Sequence, residues 1–332
     1  MPPLQDSLRD PLRFERVFKS PTWGGRALER APGIALPPGV AVGESWEVVD
    51  RDGEDNSVVA EGRHAGTRLR SLMEAFRADL LGRAASAADG RFPLLVKYID
   101  ACQDLSVQVH PTDECAERMG APCEGKTEAW YVLAARPGAV LYAGLKPGVD
   151  AATLEREGAG PGVVELLQRW EVRAGDCVLV PGGTVHAIGA GVTILEVQQN
   201  SDTTFRFYDW GRDRPTQPGR ALEATVLGLP PRPPLRPVWE EAGRHLRRAP
   251  LARSRYFGLN VLEVSGSTRF STGRQFQIYC ATSGSGTLRM KDSGACMRVS
   301  PGDTWLVPSA AGFHYFEPAG GPLTLVQLLA LP

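Results

Sequence analysis

Three short stretches of this chain hold side chains able to bind a metal: Gln108-Val109-His110-Pro111, Gly125-Lys126-Thr127-Glu128 and Pro181-Gly182-Gly183-Thr184-Val185-His186. Gln108, His110, Glu128 and His186 together can ligate one divalent cation. Gln108 and His110 stand two apart, and on a strand that spacing points both to the same face. An amide oxygen, a carboxylate and two imidazoles make a mixed nitrogen–oxygen site. Such a set suits a Lewis-acid metal better than structural zinc, which more often takes thiolates.

These residues need a scaffold of short strands. The chain has 332 residues, enough for two domains and a sizeable core. Gly (37) and Pro (27) are abundant, as expected of many short strands joined by tight turns. Phe92–Ile99 reads as a buried strand carrying one charge, Lys97. A buried Lys costs several kcal/mol unless paired, so function explains it better than packing. Thr67–Leu81 has helical spacing, with Thr67 as candidate N-cap. Thr112–Met119 and parts of Asp150–Trp170 also read as helices, the latter broken at Gly158–Gly162. Strand parity puts Glu196 with Gln198 on one face, and Thr204 with Arg206 and Tyr208. The proline-rich run Leu229–Pro237 cannot be a central strand or helix and marks a linker.

Several classes are excluded or disfavoured. With 37 Lys and Arg against 38 Asp and Glu, the net charge of −1 argues against a nucleic-acid or membrane surface as partner. No apolar run is long enough to span a bilayer, and the N-terminal stretch MPPLQDSLRD lacks a signal-peptide pattern. Six Cys without a CxxC pair read as free thiols of a reducing cytoplasm.

An internal repeat relates the two halves. Val172–Pro181 echoes Val299–Pro308: a Gly-Asp turn, an apolar strand, then Pro. The Gly175, Pro181, Gly183, His186 spacing resembles the second motif of the cupin superfamily. In the later copy Gly302 and Pro308 keep the spacing, but Phe313 stands at the His position and His314 one residue beyond. A one-residue shift turns a strand side chain to the other face, so a barrel without a metal is expected there.

Leu105–Pro111, Gly125–Tyr131 and Leu195–Arg206 resemble type I mannose-6-phosphate isomerases, and Tyr208-Asp209-Trp210-Gly211-Arg212 resembles their short bacterial form. Trp23-Gly24-Gly25 and Gly43–Glu47 share that likeness, which runs from about residue 18 to 212. The resemblance implies a mainly β fold of double-stranded β-helix (cupin jelly-roll) barrels with helical inserts in the N-terminal half. A catalytic domain over residues 1–235 and a smaller metal-free barrel over 236–332 are expected. It implies one zinc per chain on Gln108, His110, Glu128 and His186, although the chemistry alone leaves Mn, Co or Fe open. Ser106, Lys97, Lys126, Glu196 and Arg206 are implied as pocket residues.

The implied reaction is interconversion of mannose 6-phosphate and fructose 6-phosphate through an enediol. Lys126 and Glu196 are both candidate bases, and the sequence does not choose between them. Arg206 could hold phosphate through its planar fork or stabilise the developing charge, with Lys97 and Ser106 as further sugar-phosphate contacts. Rival readings are an isomerase for another sugar phosphate, a metal-dependent oxygenase, and a non-catalytic sugar-binding protein. An oxygenase would want a facial triad with open positions, which four protein ligands fit less well. A non-catalytic protein predicts loss of the ligands or of Lys126, Glu196 or Arg206, and all are present.

Overall fold

The computed structural model describes residues 7–53, 55–84, 86 and 90–331; of the N-terminal stretch 1–10, residues 1–6 lie outside them. Two pairs of antiparallel sheets follow one another along the chain. In the first pair, a six-stranded sheet has the order Val17–Lys19, Glu44–Val48, Leu94–Ala101, Val192–Gln199, Glu128–Ala135, Cys177–Val180. It faces a five-stranded sheet ordered Phe205–Tyr208, Val107–Val109, His186–Ile188, Val140–Leu145, Leu167–Glu171. The second pair repeats the scheme over residues 240–330, with six strands and four.

Burial explains why the central strands read as unbroken apolar runs. All eight residues of Leu94–Ala101 are buried. One face of this strand, with Leu94, Val96 and Tyr98, joins a core that also holds Leu259, Val261, Ile278 and Leu328 of the second barrel. The other face, with Ile99 and Ala101, packs against Trp130 and Ile194 inside the first barrel. The two six-stranded sheets therefore pack back to back, and a strand covered on both sides loses its polar alternation. Phe92 and Phe276 meet across this junction with ring centroids 4.7 Å apart.

Helices cover the outer face of the five-stranded sheet. They are α2 (Asp113–Met119), α3 (Ala151–Gly158), α4 (Gly162–Glu165) and α5 (Pro218–Ala224), following α1 (Leu69–Leu81). Cys115, Leu154, Val163 and Ala221 from these helices pack on Val107, Val109, Phe205 and Phe207. That packing turns the alternate residue, Gln108, inward. Thr112 caps α2 by accepting from the Cys115 N–H. At α1 the expectation of Thr67 as N-cap fails: Arg68 holds that position with extended backbone and no side-chain cap. Thr67 is occupied in a turn, its N–H bonded to His64 O and its carbonyl to Val59 N. Among the described residues no helix is long and apolar enough to cross a membrane. All six cysteines are free.

The second barrel corrects the reading of His314. Phe313 is exposed and His314 is fully buried. The loop after Pro308 is one residue longer than its counterpart after Pro181, and a 3-10 turn at Ser309–Ala311 takes up the extra residue. His314 therefore returns to the inward register, pairing with Phe270 as His186 pairs with Gln108. By the same matching, Gln277 opposite Val307 stands where Glu128 stands opposite Val180. Gln327 and Asn260, paired across the sheet, occupy the places of Glu196 and Lys97. Phe270, Gln277, Gln327 and Asn260 thus put an apolar ring or a neutral amide where the first barrel has a ligand or a charge. In this uncharged interior the Tyr279 hydroxyl donates to Gln277 and lies 2.9 Å from His314 Nε2.

Candidate metal centre and active site

Gln108, His110, Glu128 and His186 converge from three strands and the turn after one of them. Gln108 pairs directly with His186, placing its Nε2 3.3 Å from the His186 Nε2. His110 follows on the same face and packs its ring 4.8 Å from that of His186. The Glu128 carboxylate closes the group, 3.4 Å from each imidazole Nε2. Ligand atoms of His110, Glu128 and His186 all lie within 4.8 Å of one another, and all three side chains are buried. The approach depends on Gly183, whose φ of +84° bends the chain so that its N–H reaches His110 O at 2.7 Å.

The donor set fits a cation. His110 Nδ1 lies 2.8 Å from Thr203 O and His186 Nδ1 2.8 Å from Thr184 O. A carbonyl can only accept, so each Nδ1 carries the proton and each Nε2 offers a lone pair into the cluster, His110's 3.1 Å from Lys126 Nζ and His186's 3.3 Å from Gln108 Nε2. Burial and the nearby Lys126 ammonium hold His110 down to about 3, and burial lowers His186 too, so both are neutral donors at pH 7. Burial pushes the Glu128 carboxyl up, but Lys126, His110 and His186 together outweigh it and hold the group well below the usual range. Glu128 Oε2 is buried with no hydrogen-bond donor aimed at it, although Lys126 Nζ lies 2.9 Å away. A buried carboxylate with one imidazole Nε2 at 3.4 Å from each of its two oxygens is an arrangement that positive charge stabilises. The Gln108 amide is steadied by Ser106, whose hydroxyl donates to its Oε1 at 2.9 Å.

Every pocket residue expected from the sequence lines the same cavity: Lys97, Ser106, Gln108, Lys126, Glu128, Glu196 and Arg206. Lys97 is paired, with Glu196 at 3.1 Å and Glu44 at 3.3 Å. Burial would lower its pKa, but the two carboxylates raise it above the ordinary value. Glu196 is pushed up by burial and by Glu128 nearby, against the pull of Lys97. Its Oε2 accepts from Trp130 Nε1 at 3.1 Å. Arg206 is half-buried, and among the described residues no carboxylate pairs with it. Burial and the neighbouring Arg214 lower its pKa.

Two charged residues of this cavity, Glu44 and Arg214, escaped the sequence reading. Glu44 also accepts from Trp46 Nε1, at 2.6 Å, and the Glu44, Trp46 alternation in a short strand was the available signal. Arg214 lies outside any motif; Asp209 holds it by two hydrogen bonds of 2.7 Å. The carbonyls of Thr184 and Thr203 carry no side-chain signal at all.

The chain is similar to known proteins over nearly its whole length. The family profile of the phosphomannose isomerase type I catalytic domain matches residues 12–131. The chain is 36% identical over 316 residues to mannose-6-phosphate isomerase ManA of Bacillus subtilis (strain 168), covering 93% of this chain and 96% of that one. It is 32% identical to a mannose-6-phosphate isomerase of Streptococcus mutans, over 93% and 96% of the two chains. Its fold superposes on the crystal structure of the mannose 6-phosphate isomerase from Bacillus subtilis with a TM-score of 0.84 at 28% identity, covering 96% of this chain and 99% of that one.

Proposed function

The chain belongs to the type I phosphomannose isomerase family, and from that premise we propose that it interconverts mannose 6-phosphate and fructose 6-phosphate. One observation carries the reading. A buried His110, Glu128, His186 cluster, with half-buried Gln108 beside it, opens on the same cavity as two ionisable groups suited to moving a proton and two arginines suited to phosphate.

Gln108, His110, Glu128 and His186 are the residues that would hold one divalent cation per chain. Zinc is our choice, because two imidazoles with two oxygen donors in a buried set suit it. When bound, the cation supplies a Lewis acid that lowers the cost of negative charge on the sugar oxygens. Aldose–ketose isomerisation moves one proton between C2 and C1 through an enediol. Lys126 and Glu196 are the groups placed to take that proton and return it. Arg206 has a free planar fork for the phosphate or for the charge that develops, and Arg214 adds a second guanidinium beside it. Lys97 and Ser106 are assigned to substrate contact. The burial of Lys97, Lys126, Glu128 and Glu196 limits bulk water around the reacting atoms. We assign catalysis to residues 1–235 and a supporting, metal-free role to 236–332. Free thiols throughout fit a cytoplasmic enzyme.

The test is a coupled assay of zinc-loaded protein with mannose 6-phosphate beside other hexose phosphates. Turnover of mannose 6-phosphate well above the others is expected. Preference for a different aldose phosphate, or full activity in rigorously metal-free protein, would reject the assignment.

A further inference from the structure

Among the described residues, every side chain lining the cavity comes from residues 23–214, so the second barrel supplies none of it. A chain of hydrogen bonds nevertheless runs from that barrel to the cavity floor. It passes through Asp113, the first residue of α2 and three residues beyond His110. Asp113 Oδ2 accepts from the Tyr256 hydroxyl at 2.6 Å and from Arg255 at 2.7 Å. Both donors lie in the turn between the second-barrel strands Leu246–Arg253 and Phe257–Val264. Asp113 Oδ1 accepts from the Gln199 side-chain amide at 3.0 Å. Gln199 Oε1 in turn accepts from Thr127 N–H at 2.8 Å, and Gln199 N–H donates to Thr127 O at 3.1 Å.

Thr127 sits between Lys126 and Glu128. In extended chain its side chain points away from theirs, so a grip on Thr127 fixes the strip without entering the cavity. The Thr127 hydroxyl accepts from Gly182 N–H at 3.1 Å, tying the strip to the turn before His186. The strip also lies directly on Asp113: a Cβ added at Gly125 would stand 1.9 Å from Asp113 Oδ1. Burial and the bond to Asp113 raise the Tyr256 phenol above its ordinary value, which keeps it a donor.

We propose that Tyr256 and Asp113 are positioning residues through which the second barrel, by way of Gln199 and Thr127, sets the placement of Lys126 and Glu128. The proposal rests on the reading of Glu128 as a metal ligand and Lys126 as a proton-carrying group. A latch that only joined two barrels would affect stability alone. Partners one step behind a metal ligand typically change metal affinity 10- to 100-fold when removed, and small misplacements of reacting groups are costly to rate.

The experiment titrates metal-free protein with Zn²⁺ in competition with a chelating dye, and measures kcat and KM for mannose 6-phosphate. Tyr256→Phe removes only the hydroxyl and should weaken Zn²⁺ binding about fivefold, the worth of one hydrogen bond. Asp113→Ala should weaken it roughly 10- to 100-fold. In both, kcat should fall while KM stays within about twofold. Glu114→Ala removes another Arg255 partner but touches neither Gln199 nor Thr127, and should leave both readouts unchanged. Unchanged Zn²⁺ affinity and kcat in Tyr256→Phe and in folded Asp113→Ala would overturn the proposal. An effect confined to Asp113→Ala would overturn the part given to the second barrel. Should Asp113→Ala fail to fold, Tyr256→Phe decides. Wild-type protein that binds no Zn²⁺ would instead overturn the metal-site reading.

Discussion

Replacing Lys97 by Met tests the electrostatics of the cavity most directly. Lys97 is buried, with Glu196 3.1 Å and Glu44 3.3 Å from its ammonium. At an effective dielectric near 20, unit charges 3.1 Å apart attract by roughly 5 kcal/mol, before the cost of desolvating them. Lys97→Met keeps much of the aliphatic volume and leaves the buried Glu196 and the half-buried Glu44 without their shared counter-charge. Breaking a buried pair in this way costs about 3–5 kcal/mol. The pH dependence follows from the directions of the shifts. Lys97 is raised in the folded state, so its contribution is fully present below the unfolded Lys value of about 10.4 and is lost only as pH rises beyond it. Glu196 is already raised, and losing Lys97 raises it further. A raised carboxyl takes up its proton in the folded state first, so the deficit of the variant is largest near pH 7.5 and shrinks as pH falls toward 5. Equilibrium urea unfolding of the metal-free proteins at both pH values measures this. A cost under about 1 kcal/mol at pH 7.5, or a deficit as large at pH 5, would refute the account of Lys97 as the counter-charge.

His110→Ala and His186→Ala should each lower metal affinity by orders of magnitude, while His245→Ala leaves metal content unchanged; equal losses at all three, read by metal analysis, would mean general destabilisation instead. Arg206→Lys keeps the charge but not the fork: a fall in kcat at constant KM would assign it to the developing charge, a rise in KM alone to phosphate, and wild-type kinetics would remove it from the site. Turnover in D₂O should place some deuterium at C1 of fructose 6-phosphate, and loss of both exchange and rate in only one of Lys126→Ala and Glu196→Ala identifies the base; undiminished turnover with full retention of the C2 hydrogen in both would reject base-mediated transfer. Burial holds His314 down to about 4. Its stabilising neutrality is complete above the unfolded value of about 6.5 and is lost as pH falls through the window between, so wild type should lose about 2 kcal/mol more than His314→Gln between pH 7 and 5 in unfolding experiments, and equal losses would mean that His314 is not buried neutral.

The donors and many of the elements were legible in the chain itself. Gln108, His110, Glu128 and His186 carry ligand chemistry whatever their surroundings, and their spacing within turns and strands is local. The helix within Thr112–Met119 and the buried strand around Lys97 follow from side-chain types over a few residues. Register and partnership across the chain were not local. The inward turn of His314 depends on a single loop residue absorbed in a 3-10 turn, and an alternation rule applied through that loop pointed the side chain the wrong way. The neutral interior of the second barrel appears only when Gln277, Gln327 and Asn260 are matched strand by strand to Glu128, Glu196 and Lys97. Glu44 enters the cavity because sheet order brings its strand beside that of Lys97, Arg214 because the loop after Tyr208 folds back and Asp209 holds it there, and Tyr256 reaches Asp113 across 143 positions because the two barrels pack back to back. Residue type sets what a side chain can do, and local pattern sets which way it points along one strand. Which groups share a charge, a proton or a hydrogen bond is decided by close packing of segments distant in the chain, and only the tertiary structure carries that information.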